Sequence, residues 1–323
     1  MKEYKRFLLY GLVVGTVIGF YLIFNLKSFV SYENIFIDKT DFMLSSRLII
    51  YNKTCGLQHW KEKKNFGHRD DIPFFSILST ILSSTEKKII IIEFGANVGQ
   101  FSERVLSIPH KIPYIVHSIE PVLTLFHLLR NRSRTFKKQK NDKHFHYNLA
   151  ISDQSGEKPI YSPSQYGEGS TLGKAFLSNF KEIENVTVTT LPEFIKKYHI
   201  KTPISFIKID VEGFEPEVIR GMNLSINAKI FPLFSFETGE TWLDDRSVLA
   251  KEYTLKSFVE MLNYFQYDSY FIGNPYLLPI SGTYWKNSFD GLRRNPNVLA
   301  ILRHSQPWKN LKKLLNRIPF TSC

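Results

Sequence analysis

Three short runs of this 323-residue chain gather acids and glycines at spacings that can do chemistry. The first is Glu93-Phe94-Gly95-Ala96-Asn97-Val98-Gly99. The second is Ser118-Ile119-Glu120-Pro121. The third is Lys208-Ile209-Asp210-Val211-Glu212-Gly213-Phe214-Glu215, with Glu237 and Glu240 further on. Glycines between a strand and a helix let the backbone turn tightly and a ligand approach closely. Asn97 stands where a pyrophosphate-binding turn needs its second glycine, and the Lys-Ser/Thr pair of a P-loop is missing. The turn therefore suits a nucleoside ligand without a pyrophosphate. S-adenosylmethionine meets that description, with its adenosine, sulfonium and amino-acid end. Glu93 can accept from the ammonium. Glu120, 21 residues past Gly99, can take both ribose hydroxyls.

The third run adds acid–base chemistry. Lys208 and Asp210 share one face of a strand by the period of two. Lys208 lies between two isoleucines, so we expect it half buried and paired with a carboxylate. Asp210 is the first choice for a general base and Glu237 the second, with Lys208 in support. A lone histidine such as His117 is a weaker choice, and Glu215 reads as charge compensation at a helix N-terminus. Asp210 with Glu212 offers an alternative as a divalent-cation pair, but no oxygen-ligand spacing demands it and no metal is assigned. Between Tyr161 and Leu172 runs a Gly/Ser/Tyr-rich loop, a candidate lid. Its Tyr161 and Tyr166 could stack on sugar rings, and Ser164, Gln165 and Ser170 could bond hydroxyls. Trp242 is read either as a sugar platform or as a core residue.

These residues need a scaffold, and the hydrophobic pattern supplies one. Strands are predicted at Ile89–Phe94, Tyr114–Ile119, Phe145–Ile151, Val186–Thr190, Ile204–Val211, Ile230–Glu237, Tyr267–Ile272 and Asn297–Leu302. Helical spacing marks Ile72–Ser84, Phe101–Leu106, Val122–Arg134, Leu191–Tyr198, Pro216–Met222 and Thr254–Tyr264. Fully apolar strands alternating with helices predict a parallel sheet covered on both faces, an α/β architecture. The last two strands have no helix between them, so one of them should run antiparallel.

The stretches IIEFGANVGQFS (91–102), HSIEP (117–121), NLAISDQSGE (148–157), ISFIKIDVEGFEPEVIRGM (204–222) and FSFETGE (234–240) resemble the FkbM family of S-adenosylmethionine-dependent methyltransferases. The resemblance covers residues 88–302, and IDVEGFE is its distinctive piece. It implies a Rossmann-like class I methyltransferase fold with seven strands, one of them antiparallel. It also implies methyl transfer to a hydroxyl, often on a sugar. Carried onto this sequence, the cofactor contacts are Glu93, Gly95, Ala96, Asn97, Gly99, Glu120, Pro121, Ala150 and Asp210. The family also holds membrane-anchored members linked to secretory trafficking, so a non-catalytic membrane protein is the runner-up.

Composition sets the surroundings. Lys and Arg number 42 against 30 Asp and Glu, a net charge of +12, and 43% of residues are apolar. That excludes a disordered chain. Two cysteines, Cys55 and Cys323, exclude a disulfide framework. Phe7–Leu26 carries no charge over 20 residues, enough helix to span a bilayer. Lys2, Lys5 and Arg6 precede it, so the positive-inside rule keeps residues 1–6 cytosolic and puts the rest across the membrane. We therefore expect a single-pass type II protein of the Golgi or endoplasmic reticulum, anchored by residues 7–26. A stem would follow at 27–70, a lumenal methyltransferase domain at 71–302 and a basic tail at 303–323. Sequons at Asn52, Asn131, Asn185 and Asn223 are consistent with that location. Segments 1–27, 136–144 and 303–323 carry +3, +3 and +5, so nearly all the excess lies outside the cofactor motifs. A nucleic-acid partner is not expected. The expected acceptor is a glycan or another hydroxyl-bearing molecule.

Overall fold

The computed structural model describes residues 71–82, 87–163, 167, 169–173, 179–239, 242, 253–273, 277–290 and 295–316. The expected anchor at 7–26 and the stem lie outside these residues. So do Ser164, Gln165, Tyr166 and Glu240. Among the described residues no helix is long and apolar enough to cross a membrane.

The scaffold begins with α1 (Asp71–Leu82), β1 (Ile89–Phe94), α2 (Gln100–Ser107), β2 (Tyr114–Ile119), α3 (Leu123–Arg132) and β3 (Lys143–Tyr147). Next come β4 (Ala150–Ile151), β5 (Gly156–Ser162), β6 (Lys181–Thr189) and α4 (Leu191–Lys197). Then follow β7 (Phe206–Ile209), α5 (Glu215–Gly221), α6 (Asn223–Asn227) and β8 (Leu233–Glu237). The chain closes with α7 (Leu255–Tyr264), β9 (Tyr267–Ile272), β10 (Leu277–Pro279), β11 (Asn297–Leu302) and α8 (Gln306–Asn316).

The main sheet has the order β10-β9-β11-β8-β7-β1-β2-β3. β1 pairs in parallel with both β2 and β7, and β7 with β8. β11 runs antiparallel between β8 and β9, as the missing helix before it required. The expected seven strands are thus eight, because the short β10 adds a third antiparallel pairing at the edge. A separate three-stranded sheet, β4-β6-β5, was not anticipated. The predicted strand Phe145–Ile151 is divided between the two sheets. Asn148 makes the break, its side-chain amide donating to the carbonyls of Glu120 and Pro121 at 3.0 and 2.7 Å. The predicted loop at 161–172 instead opens inside β5, whose polar residues pair with an equally polar β6. Neither strand shows the apolar run that marks the main sheet.

Strand β1, IIIIEF, is buried at every position. Ile90, Ile92 and Phe94 face one side, with α4 to α7; Ile89 and Ile91 face the other, with α1, α2 and α8. This two-sided burial is why the strand reads as a continuous apolar run. α7 starts at an N-cap, Thr254, which accepts from the Ser257 amide. The expected basic tail is in part a correction: residues 306–316 form α8, packed against α1 with Leu311 fully buried. Lys309, Lys312 and Lys313 share one side by spacing while Leu311 and Leu314 pack with Trp308 into the core, so a helix can be both basic and docked.

Strands β2 and β3 lie on one side of β1, and β7 and β8 on the other. The chain therefore reverses its winding between β1 and β7. That reversal opens a crevice beyond the carboxyl ends of these two strands, where ligands of open α/β sheets bind.

Candidate cofactor and methyl-transfer site

A cavity of about 240 Å³ occupies the crevice. The glycine turn forms its floor, with Glu93, Gly95, Ala96 and Asn97 on the wall. Gly95 has φ +74°, and a Cβ there would lie 1.7 Å from the Asp210 carbonyl oxygen. Only glycine lets the two strand ends approach this closely. Gly99, at φ +84°, does a different job. It caps α2, and its absent Cβ makes room for Leu129, which would otherwise sit 2.5 Å away. Gly99 is not among the cavity-lining residues.

Glu120 follows β2 and lines the cavity with Pro121. One carboxylate oxygen accepts from the Asn97 amide at 2.7 Å, the other from the Val122 amide at 2.9 Å. The acid thus ties the turn to the next helix. Burial lifts its pKa to about 7 against these two bonds. Glu93 is deeper. Its carboxylate accepts from the Ser118 hydroxyl at 3.0 Å, and burial raises its pKa to about 8 while Lys208 pulls the other way.

Lys208 stands beside Glu93 in strand register and is largely buried. Its ammonium meets Asp210 at 2.6 Å and lies 5.5 Å from the Phe101 ring centre. The expected burial and pairing of Lys208 are both present. Asp210 keeps about a third of its side chain exposed and lines the cavity with Lys208, Val211 and Glu212. Beyond it, Glu212 takes a left-handed backbone at φ +56° and Gly213 follows at +91°. A non-glycine residue held there is the kind of strain that collects at functional sites.

Oxygens of Asp210, Glu215 and Glu237 lie within 4.8 Å of one another. Protein donors occupy Glu215 on both sides: the Val211 amide at 2.8 Å and the Trp242 indole N–H at 2.9 Å. Burial raises its pKa to about 8. Glu237 is held well above the carboxylate range, first by burial and then by Asp210 and Glu215. Burial and the neighbouring acids thus favour the protonated forms of Glu215 and Glu237. Glu215 is therefore a buried clasp and not merely a helix-terminal charge. Trp242 is its partner and stacks on Phe236, so the core reading replaces the sugar platform. Glu237 sits behind Asp210 and is not among the cavity-lining residues.

The small sheet walls the opposite side. Ala150, Ile151 and Ile160 line the cavity, as do Gly167 and Gly169 to Leu172. Reciprocal bonds of 2.9 Å between Tyr161 and Thr171 pin the two ends of the expected lid. His117 is buried against Phe145 and Tyr147, with its pKa lowered to about 4 by burial, and it lies outside the cavity lining. Sequence reasoning missed the role of Ser118. The one signal was a hydroxyl beside His117 in a strand whose other residues are apolar or aromatic.

The pattern of the Methyltransferase FkbM domain matches residues 93–271, more than half of the chain. The chain belongs to this family. It is a family of S-adenosylmethionine-dependent methyltransferases, and the sheet described above is its Rossmann-like fold. A solved methyltransferase FkbM from Methylobacillus flagellatus KT is 13% identical, with a TM-score of 0.43, over 80% of this chain. The match spans 57% of that protein's own length. The N-terminal domain of human METTL16, solved in complex with SAH, is 8% identical. It covers 78% of this chain and 82% of its own, with a TM-score of 0.39. No curated protein matches the sequence.

The residues present fit the family's cofactor. The Asn97 side-chain oxygen is buried on the cavity wall with no hydrogen-bond partner among the described residues. Such an orphan calls for a donor from a ligand. Glu93 and Glu120 place two carboxyls for an ammonium and a ribose diol at separate points of the same wall.

Proposed function

We propose that this FkbM-family protein transfers methyl to a hydroxyl oxygen, with a sugar of a glycan as acceptor. The observation that carries the reading is Asp210, a partly exposed carboxylate on the cavity wall ion-paired with Lys208 beside the cofactor turn. When bound, the cofactor supplies an electrophilic methyl on its sulfonium. The chain must then hold an acceptor oxygen in line and accept its proton. Asp210 accepts that proton, and Lys208 holds Asp210 in place. Glu237 and Glu215, behind Asp210, offer a store of protons. Glu93, Asn97 and Glu120 fix the cofactor's two ends. Ser170 and Thr171 line the facing wall, which supports a role for their hydroxyls in bonding the acceptor.

The uncharged run Phe7–Leu26 and the basic residues before it support a membrane anchor with the domain lumenal. Such a placement requires cofactor to be imported into that lumen.

The test is direct. Full-length protein in detergent should bind S-adenosylmethionine in calorimetry and label a sugar hydroxyl from methyl-labelled cofactor. Binding without transfer to any glycan acceptor would point to the trafficking reading, and no binding would remove the enzymatic one.

A further inference from the structure

A chain of hydrogen bonds leads from the cofactor cavity to the edge of the sheet. It starts at the Glu93 carboxylate and passes to the Ser118 hydroxyl at 3.0 Å. Ser118 Oγ lies 2.8 Å from His144 Nε2. His144 Nδ1 lies 3.2 Å from His146 Nε2. His146 is partly exposed on β3, the edge strand of the sheet. Three side chains, on β2 and β3, thus connect a fully buried acid on β1 to solvent.

The donors run one way. Ser118 has a single O–H, and with Glu93 ionised it donates to that carboxylate. Its oxygen must therefore accept from His144 Nε2–H, which leaves His144 Nδ1 to accept from His146 Nε2–H. The mirror arrangement is equally complete. A protonated Glu93 donates to Ser118, Ser118 to His144 Nε2, and His144 Nδ1–H to His146 Nε2. One proton moved from end to end converts one arrangement into the other. Structural polar residues alone need no such continuous, reversible order.

We propose that Ser118, His144 and His146 form a proton relay that discharges Glu93 when the cofactor's ammonium docks. The proposal rests on the cofactor reading. Before the cofactor binds, Glu93 holds its proton because burial disfavours its charge. An ammonium beside it reverses that preference, and the proton must leave while the cofactor fills the cavity. The O–H bond of Glu93 breaks as Ser118 gains a proton and passes its own to His144 Nε2. His144 then passes its Nδ1 proton to His146, and His146 gives its Nδ1 proton to water. The charge balance is complete: a neutral acid becomes a carboxylate and one proton reaches solvent.

The surroundings favour rapid passage over storage. His144 faces His146, Lys138 and His117; His146 faces Lys138 and Arg130. Burial first, and then the charges of Lys138 and Arg130, hold both imidazoles neutral, so neither traps the proton. Phe136 stacks on His144 and keeps the ring in place. Glu93 itself faces Lys208 and Asp210.

The experiment mixes full-length protein in detergent with S-adenosylmethionine. Calorimetry near pH 7 in buffers of different ionisation enthalpy counts protons released per cofactor bound. Stopped-flow mixing with a pH-indicator dye times the release. Wild type should release close to one proton together with binding. His144→Phe keeps an aromatic ring against Phe136 and should bind cofactor with similar affinity, while its release lags at least about tenfold. His146→Phe should lag too, Ser118→Thr should not, and free imidazole should restore speed to the His144 variant. Binding without proton release, or prompt release from both histidine variants, overturns the relay. Absence of any binding heat overturns the cofactor reading instead, and the relay with it.

Discussion

Asp210 and Glu93 are both acids near one cavity, yet the fold gives them opposite tasks. Asp210 is partly open and ion-paired with Lys208, whereas Glu93 is sealed and holds its proton. Asp210→Asn should retain cofactor binding and lose on the order of a hundredfold or more in methyl transfer, read by a labelled-methyl assay. Gly95→Ala should abolish cofactor binding, because its Cβ would collide with the Asp210 backbone. Raised carboxyl pKa values also carry a sign for stability. A group protonated in the fold but ionised in the unfolded chain contributes stability at low pH that is lost as pH rises through its folded pKa. Glu93, Glu120 and Glu215 therefore weaken the cofactor-free protein between about pH 4.5 and 8. His117 acts oppositely below about 6.5, since its folded pKa is lowered to about 4. Only the acids remain active above that, so thermal scans should show Tm falling from pH 6.5 to 8. At this scale the sequence was most legible where motif and strand end coincide, at Glu93, Glu120, Lys208 and Asp210. It was least legible at Ser118, His144 and His146, whose partners lie 25 and 26 residues away or on the next turn of the strand.

Among the elements, α5 and the residues before it are held by one buried carboxylate. Glu215 joins the Val211 amide to the Trp242 indole across 27 residues. Trp242→Phe keeps the stacking on Phe236 but leaves a buried carboxyl oxygen without its donor. Denaturant unfolding should show a loss of about 1–3 kcal/mol. The basic C-terminal segment is the other element-scale test. Leu311 is fully buried between α8 and the domain, so Leu311→Ala should cost about 2–5 kcal/mol, whereas a solvated tail would show no change. The main strands were readable because burial on both faces demands an unbroken apolar run. β5 was not, and β6 was only at its end from Val186, since a small sheet with one solvated face alternates polar residues that resemble a loop.

Across the whole molecule, polar residues cut through the apolar sheet in one line. His146, Ser118, Glu93, Lys208 and Ser235 are successive register partners on β3, β2, β1, β7 and β8. Each is flanked along its own strand by residues of the opposite face. A slip of one residue in any pairing would carry its polar member to the other side of the sheet. Glu93 would then face Ile119 or His117 in place of the Ser118 hydroxyl. A buried carboxyl robbed of its donor is a heavy penalty, while the isoleucines beside it would barely register the shift. Four near-identical isoleucines in β1 could otherwise pair with their neighbours in several alignments. The line of polar groups thus works during assembly as a vernier scale, which admits one alignment of five strands and rejects the rest before any ligand arrives.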